Sequence, residues 1–373
     1  MKRSRITTVL GTRPELIRLS LIIQRLDHLF EHRLVHTGQN SDVNLSEVFF
    51  NELKIRKPDL HLKIDTSSLG AFLGGLFPAI EHEFEANPPD AVVILGDTNS
   101  ALAGIIAKRK GIPVYHLEAG NRAFDQNVPE EINRRIIDHF SDFNLAYTSY
   151  AKENLLREGL HPRNSIVIGS PLCEVIAHFN NEINSSKILA SLKLKSGAYF
   201  LISAHRQENV DNPLRLKQLV SSLNEIANQF KVPIIVSTHP RTRSKLNSLK
   251  VEFDPLLQFQ PPFGFIDYCK LQKDARIVFS DSGSISEESV ILGFRAITIR
   301  DSMERPEALE AGSIIMSGLN HQNIIESIRA IESTPASKTP PLEYLISDTS
   351  TRVVNFITST IHQHSFWSGL RKV

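Results

Sequence analysis

Cysteine is scarce in this sequence. The chain of 373 residues has two, Cys173 and Cys269, which stand far apart and have no cysteine or histidine neighbours at the spacing of metal ligands. We therefore expect neither a disulfide framework nor a metal site. This composition is typical of a reducing cytoplasmic interior, which is the location that we predict.

Long apolar segments and an excess of either charge are also lacking. No run of about 20 apolar residues occurs, so no membrane span is expected, and Ile6 to Leu10 is too short for the apolar core of a signal peptide. The 42 Lys and Arg residues balance 41 Asp and Glu residues. The charge therefore gives no reason to expect a nucleic-acid or membrane partner, and any anion must be bound by local groups.

Two common nucleotide-binding motifs are missing as well. No Gly-x-Gly-x-x-Gly follows a predicted strand, which argues against a dinucleotide enzyme. No Gly-x-x-x-x-Gly-Lys-Ser/Thr is present, which argues against a P-loop.

What the sequence does have is an alternation of strand and helix patterns along its whole length. The nearly pure apolar run Ala91 to Leu95 is typical of a parallel strand that is covered on both faces. The polar segment Asn180 to Ser186 resembles a hinge, and the alternation restarts at Tyr199 to Ser203. We predict an α/β protein with two Rossmann-like domains that face each other across a cleft, residues 1–170 and 171–350.

Carboxylates follow two successive predicted strands of the first domain. Asp97 comes just after Ala91 to Leu95, and Glu118 comes just after Pro113 to Leu117. Parallel sheets bind ligands at the carboxyl ends of their strands. Two neighbouring carboxylates there suggest acid/base chemistry, because each shifts the pKa of the other. Asp97 could equally cap the helix that follows it.

Three further polar residues of the first domain are candidates. Arg13 lies at the tip of the turn after the first strand, where its guanidinium could meet a phosphate, or where it is simply a surface arginine. Glu130 stands four residues before Arg134 in a predicted helix, Pro129 to Phe140. Such a spacing indicates an exposed salt bridge, although the nearness of Glu118 makes Glu130 a possible third acid.

The second domain has a predicted anion site at Ser282-Gly283-Ser284. This turn follows a buried strand, and a helix is predicted to begin at Gly283, so that backbone N–H groups and the helix dipole both attract an anion. Glu288, inside the new helix, could reach the hydroxyls of a nucleotide ribose. The alternative is a well-capped helix with solvent at its tip.

Cationic and aromatic residues surround this predicted site in the sequence. His205 and Arg206 follow the strand Tyr199 to Ser203, and Arg305 precedes another helix. A phosphate suits these groups, whereas a lone histidine is more often structural. Tyr268 could cover a nucleotide base or belong to the core.

The ordered motifs resemble those of the non-hydrolysing UDP-N-acetylglucosamine 2-epimerase family. They run in the family's order from residue 5 to about 320. They are Gly11 to Glu15, Gly96-Asp97-Thr98, Glu118-Ala119-Gly120, Pro129 to Arg134, Ala204-His205-Arg206, Ser280 to Gly283, Glu287-Glu288 and Glu304 to Glu307. The stretches 36–40, 96–100, 118–126 and 238–243 are most similar to the branch that makes UDP-N-acetyl-L-fucosamine from its talosamine epimer.

This resemblance implies a fold like that of type B glycosyltransferases, with residues 351–373 packing back on the first domain, and a homodimer. It implies inversion at carbon 2 of a UDP-sugar without a cofactor, by loss of UDP to a 2-acetamidoglycal and re-addition, for surface polysaccharide precursors. The implied acids and bases are Asp97, Glu118 and Glu130, with His205 and Arg13 near the diphosphate. The implied binding residues are Arg134, which orients the acids, Ser282, Gly283, Ser284 and Arg305 for the diphosphate, Glu288 for ribose, and Tyr268 for uracil.

Other functions remain open at this stage. A hydrolysing epimerase, a type B glycosyltransferase and a UDP-sugar sensor without activity are the alternatives. Family members that a second UDP-N-acetylglucosamine regulates have Gln-His where this chain has Gln39-Asn40. Activation by substrate is therefore not expected.

Overall fold

The computed structural model describes residues 3–39, 43–238, 240–248, 251–335 and 339–370. Asn40 and His239, which belong to motifs named above, lie outside these described residues, as do the last three residues of the predicted C-terminal segment. The chain divides into two compact units. Unit 1 is Met1–Ala177 with Glu343–Val373, and unit 2 is His178–Leu342.

Unit 1 is built on a parallel sheet in the order β3-β2-β1-β4-β5-β6-β7. Its strands within the described residues are β1 Arg5–Leu10, β2 Glu31–His36, β3 Leu60–His61, β4 Ala91–Leu95, β5 Val114–Leu117, β6 Phe143–Ala146 and β7 Ser165–Val167. All five residues of β4 are buried, as the pure apolar run predicted for a strand with helices on both faces.

Helices cover this sheet. They are α1 Arg13–Leu29, α2 Val43–Glu52, α3 Leu69–Ala86, α4 Gly104–Arg109, α5 Pro129–Phe140, α6 Ser149–Arg157 and α7 Pro171–His178. In α1 the apolar residues at helical spacing are buried, among them Leu16, Leu19 and Leu26. The same spacing in the sequence predicted this helix, because residues three and four apart share one face.

The C-terminal residues complete unit 1. Its last helices are α17 Thr349–Thr360 and α18 His364–Trp367, in the numbering that runs through unit 2. The Tyr115 hydroxyl lies 2.8 Å from the Thr360 hydroxyl, and the backbone N–H of Ser170 donates to the Glu343 carbonyl at 3.4 Å. The Glu343 contact lies within unit 1, whose boundaries fall at 177 and 343, whereas the sequence suggested 170 and 351.

Unit 2 has a second parallel sheet in the order β10-β9-β8-β11-β12-β13. Its strands in the described part of the chain are β8 Phe200–Ser203, β9 Ile234–Ser237, β10 Leu257–Gln260, β11 Ile277–Ser280, β12 Ala296–Thr298 and β13 Ile314–Met316. Its helices are α8 Asn180–Ser185, α9 Ile188–Ser191, α10 Gln207–Val210, α11 Pro213–Phe230, α12 Pro240–Ser248, α13 Phe265–Asp274, α14 Ile285–Leu292, α15 Glu307–Glu310 and α16 His321–Ser333. Within the described ranges, no helix is both long and apolar enough to cross a bilayer.

Candidate active site

The two strand-end carboxylates of unit 1 follow neighbouring strands. Strands β4 and β5 pair in parallel, with Leu95 opposite Leu117. Asp97 and Glu118 therefore begin their turns from the same edge of the sheet, where parallel sheets bind ligands.

Asp97 is held by an arginine of α5. Its Oδ2 accepts a hydrogen bond from Nε of Arg134 at 2.7 Å, and Nη1 of Arg134 also donates to Glu131 Oε2 at 3.0 Å. The side-chain amide of Asn133 donates to the Asp97 backbone carbonyl at 2.9 Å. Charge-assisted bonds of this kind fix both the position and the orientation of a carboxylate.

Glu118 has an unusual backbone. Its φ of 68° lies in the left-handed region, which residues with a Cβ rarely adopt and which occurs often at functional sites. Its Oε2 is 3.5 Å from Nε of Arg18, and the Arg18 guanidinium lies over the Tyr147 ring at 5.5 Å. Sequence reasoning missed Arg18, although a charged residue in the apolar pattern of α1 was a usable signal.

The other candidates of unit 1 lie at helix starts. Glu130 is half-buried in the first turn of α5. The sequence spacing paired Glu130 with Arg134, whereas a short ion pair of Arg134 within this helix is made by the next residue, Glu131. Arg13 begins α1, where its guanidinium lies over the Phe49 ring at 5.8 Å.

A buried carboxylate that sequence reasoning missed joins two of these turns. Glu15 Oε2 accepts from the backbone N–H groups of Gly11 and Thr12, at 3.0 and 2.7 Å. Its Oε1 accepts from the hydroxyl of Thr98 at 3.0 Å. Glu15 thus ties the turn that carries Arg13 to the residue after Asp97. Burial raises its pKa to about 7, against lowering effects of the hydrogen bonds.

Glu15→Gln is expected to remove a pH dependence of stability. The ordinary pKa of 4.5 rises to about 7 on folding, so between these values the folded state holds a proton that the unfolded state has lost. This contribution to the free energy of unfolding is complete below pH 4.5 and is lost as the pH rises through 7. Its full size is about 3 kcal/mol. Urea unfolding at several pH values should show this loss in the wild type and not in the glutamine variant. Parallel curves for the two proteins would contradict the assignment.

In unit 2, Asp281 locks together the turns after two neighbouring strands. Strands β8 and β11 pair with Ser203 opposite Ser280. The fully buried Asp281 carboxylate accepts from the backbone N–H groups of His205 and Arg206 at 3.1 and 3.0 Å. His205 Nδ1 also lies 3.3 Å from this carboxylate, and the His205 side chain is 52% exposed. The imidazole therefore remains accessible from solvent at a strand end.

The predicted anion turn is present, but its details differ from the prediction. The helix was expected to begin at Gly283, whereas α14 begins at Ile285, because Ser282 to Ser284 form a separate turn. The Ser282 N–H donates to the Ser280 hydroxyl at 3.0 Å, and the Ser282 and Ser284 hydroxyls lie 2.8 Å apart. An anion would therefore meet serine hydroxyls as well as backbone N–H groups.

Arginines and glutamates surround this turn. Nη2 of Arg206 lies 3.4 Å from Glu304 Oε1, and Arg300 pairs with the same carboxylate. Nη1 of the buried Arg305 lies 2.9 Å from Oε1 of the fully buried Glu287. Carboxylates, including the neighbouring Asp281, balance these guanidinium groups, so an anion would be attracted by individual donors placed at the turn and not by a local excess of positive charge.

The two residues expected to hold a nucleoside are close together. The Glu288 carboxylate accepts from the Gln272 side-chain amide at 2.6 Å. Burial, and then the neighbouring Glu288 charge, raise the pKa of Tyr268, whose hydroxyl also forms a hydrogen bond with Ser203. Tyr268 is half-buried as a residue although its hydroxyl is buried, so a part of it is left open to a ligand such as a base.

Comparison with known proteins places the chain in a family. A family model described as UDP-N-acetylglucosamine 2-epimerase matches residues 24–358. The UDP-N-acetylglucosamine 2-epimerase of Methanococcus maripaludis is 37% identical over 335 residues, covering 87% of this chain and 90% of the relative. The chain belongs to the UDP-N-acetylglucosamine 2-epimerase family. The expectation that the protein is an enzyme of the UDP-N-acetylhexosamine 2-epimerase type is confirmed.

Two solved structures of this epimerase family have the same fold. That from Rickettsia bellii has a TM-score of 0.90 and 38% identity, covering 97% of this chain and 98% of the other. That from Methanocaldococcus jannaschii, in complex with UDP-GlcNAc and UDP, has a TM-score of 0.90 and 35% identity, covering 95% and 99%. The expected α/β architecture with two Rossmann-like sheets, similar to type B glycosyltransferases, is confirmed.

Proposed function

We propose that this epimerase inverts carbon 2 of a UDP-N-acetylhexosamine without hydrolysing it. The observation that carries the proposal is the pair Asp97 and Glu118, which follow adjacent strands in a chain of this family. Carboxylates in such an arrangement can exchange a proton with a substrate carbon.

The proposed reaction is an elimination followed by an addition. One carboxylate takes the carbon-2 proton, the C–H electron pair forms the double bond between carbons 1 and 2, and UDP leaves with the electrons of the bond to carbon 1. A carboxylic acid then returns a proton to the opposite face of carbon 2 while a UDP oxygen bonds to carbon 1. Oxidation does not occur overall, so the chemistry needs no redox cofactor. Asp97, Glu118 and Glu130 are the proposed acids and bases, and Arg134 orients Asp97.

The groups of unit 2 are proposed to hold UDP. Preorganised donors that meet the charge of a leaving group are usually the largest source of catalysis. The proposed diphosphate groups are Ser282, Gly283, Ser284, Arg305 and His205, with Arg13 from unit 1. Glu288 would accept hydrogen bonds from the ribose hydroxyls, and Tyr268 would stack on uracil.

The proposed function is tested by incubating the enzyme with UDP-N-acetylglucosamine in heavy water. Deuterium at carbon 2 of the recovered UDP-sugars, together with the mannosamine epimer, is the expected NMR result. Free N-acetylmannosamine that appears in step with UDP would favour the hydrolysing reaction. Binding without exchange for every one of the four UDP-sugars named below would indicate a sensor, and transfer to an added acceptor would indicate a glycosyltransferase; each of these results overturns the proposal.

The identity of the sugar needs a panel of substrates. The motifs of the sequence resemble the fucosamine branch, whereas the relatives described above are named as UDP-N-acetylglucosamine 2-epimerases. Carbon-2 exchange would be measured with the UDP-linked forms of N-acetylglucosamine, N-acetylmannosamine, N-acetylfucosamine and N-acetyltalosamine. The physiological sugar should have the highest kcat/KM, because a pocket that does not accommodate a hydroxyl group lowers kcat/KM for the sugars that carry it.

We also propose that the enzyme works as a cytoplasmic homodimer, on the basis of the family resemblance. Light scattering after size exclusion would measure the oligomer. Because activation by a second substrate molecule is not expected, the rate should rise linearly with substrate at low substrate concentration.

A further inference from the structure

A second buried aspartate of unit 1 connects the elements that carry the proposed acids. Asp138 lies on α5, the helix that carries Glu130, and is fully buried. Its carboxylate accepts from the backbone N–H of Gly120 at 3.2 Å, and Nη1 of Arg122 donates to it at 2.7 Å. Gly120 comes two residues after Glu118, so Asp138 fixes the turn that follows the Glu118 strand.

A histidine extends this connection to the Asp97 turn. Nδ1 of the buried His116 lies 3.0 Å from Asp138 Oδ1, so the two side chains are in contact, without the alignment of a hydrogen bond. The other ring nitrogen, Nε2, lies 2.9 Å from the backbone oxygen of Gly96. Gly96 directly precedes Asp97 and has a φ of 69°. The chain Asp138, His116 and Gly96 therefore runs from α5 to the Asp97 turn.

We infer that Asp138 is a positioning residue for the epimerisation, which sets the relative positions of the turns that carry Asp97 and Glu118. The inference rests on the proposed function. A reaction that removes a proton from one face of carbon 2 and returns one to the other face depends on the mutual alignment of two groups. A misplacement of about 1 Å costs roughly 100-fold in rate.

The chain offers a matched control four residues later. Asp142 is also buried and bonds to the same kinds of partner: Nε2 of His364 at 2.9 Å, Nζ of Lys108 at 2.5 Å and the backbone N–H of Val114 at 3.0 Å. Its histidine comes from the C-terminal helix α18, and its backbone partner begins β5. Asp142 thus resembles Asp138 in burial and bonding, but its bonds reach neither of the two turns.

The experiment compares Asp138→Asn with Asp142→Asn in the full chain. For Asp138→Asn we expect kcat for UDP-N-acetylglucosamine to fall roughly 10- to 100-fold, with KM and the dissociation constant of UDP unchanged. We also expect a larger share of turnovers that release UDP and the glycal instead of the epimer, since protonation on the second face is delayed. Both substitutions should lower the melting temperature by a similar amount, because each removes a buried charge. Asp142→Asn should nevertheless leave kcat and the share of released glycal unchanged.

The possible outcomes separate this inference from the proposed function. Wild-type protein without exchange at carbon 2, on any UDP-sugar of the panel, would refute the function and the inference together. An active wild type with equal kcat in both variants, or with the loss confined to KM, would refute the inference alone. If Asp138→Asn does not fold, His116→Leu carries the same test, because leucine cannot donate to the Gly96 carbonyl while the Arg122 pair is kept; a normal kcat for that variant overturns the inference.

Discussion

Replacing Asp97 by asparagine is expected to lower the rate of carbon-2 proton exchange about 1,000-fold. Asparagine has nearly the same size but cannot take up a proton, and a positioned acid or base contributes typically 10²- to 10⁴-fold. The change also removes the carboxylate that pairs with Arg134 Nε at 2.7 Å. The dissociation constant of UDP should not change, because its proposed binding groups are mainly in unit 2. Exchange into heavy water, followed by NMR, measures the rate, and calorimetry measures UDP binding.

Asp90→Asn is the control for this experiment. Asp90 precedes strand β4, which Asp97 follows, and its carboxylate accepts from the Arg5 backbone N–H at 2.7 Å. The same change of charge at the opposite end of the same strand should leave exchange at the wild-type rate. An Asp97→Asn protein that retains more than about a tenth of wild-type exchange would contradict an acid/base role for Asp97.

Gly283→Ala is expected to weaken UDP binding by roughly 10- to 100-fold. A Cβ at this position would overlap the Glu304 carboxylate, whose Cδ would lie 2.9 Å away. Glu304 cannot yield easily, because Arg206 and the buried Arg300 both pair with it. The Ser282-Gly283-Ser284 turn must move instead. The loss of one or two charge-assisted hydrogen bonds to the diphosphate corresponds to the stated range.

The matching control is Gly293→Ala, at the other end of α14. Gly293 has a φ of 75°, and nothing lies within 4 Å of an added Cβ. Alanine there should cost about 1 kcal/mol of stability through backbone strain and leave the UDP dissociation constant unchanged. Titration calorimetry with UDP measures both variants. Wild-type affinity in Gly283→Ala would show that the turn does not bind the diphosphate.

The sequence was most informative where a single strand and its turn contain the signal. The apolar run of β4 predicted both a covered parallel strand and the place of Asp97 after it, because burial on both faces leaves a direct pattern in the chain. The Ser282-Gly283-Ser284 turn was found in the same way. Its helix start was two residues off, since three small polar residues can form either a separate turn or a first helical turn.

Partners that are distant in the sequence could not be predicted. Asp281 lies 76 residues from the His205 N–H that it accepts, and Asp138 lies inside a helix whose pattern gives no hint of His116 or Gly120. Which groups such a carboxylate meets depends on the order of strands in the sheet. Glu15 illustrates the same limit, because its bond to Thr98 exists only when β1 and β4 are neighbours.

The division of the chain has a consequence for biosynthesis. Unit 1 takes its final part from residues 343 onward, whereas unit 2 is one continuous segment. A ribosome therefore finishes every residue of unit 2 before it supplies the helices that close unit 1. Unit 2 can therefore fold completely before unit 1 does. Until the C-terminal helices are synthesised, the surface of unit 1 beside Tyr115 and Asp142 stays uncovered. Chaperones that bind nascent chains would meet this surface during that interval.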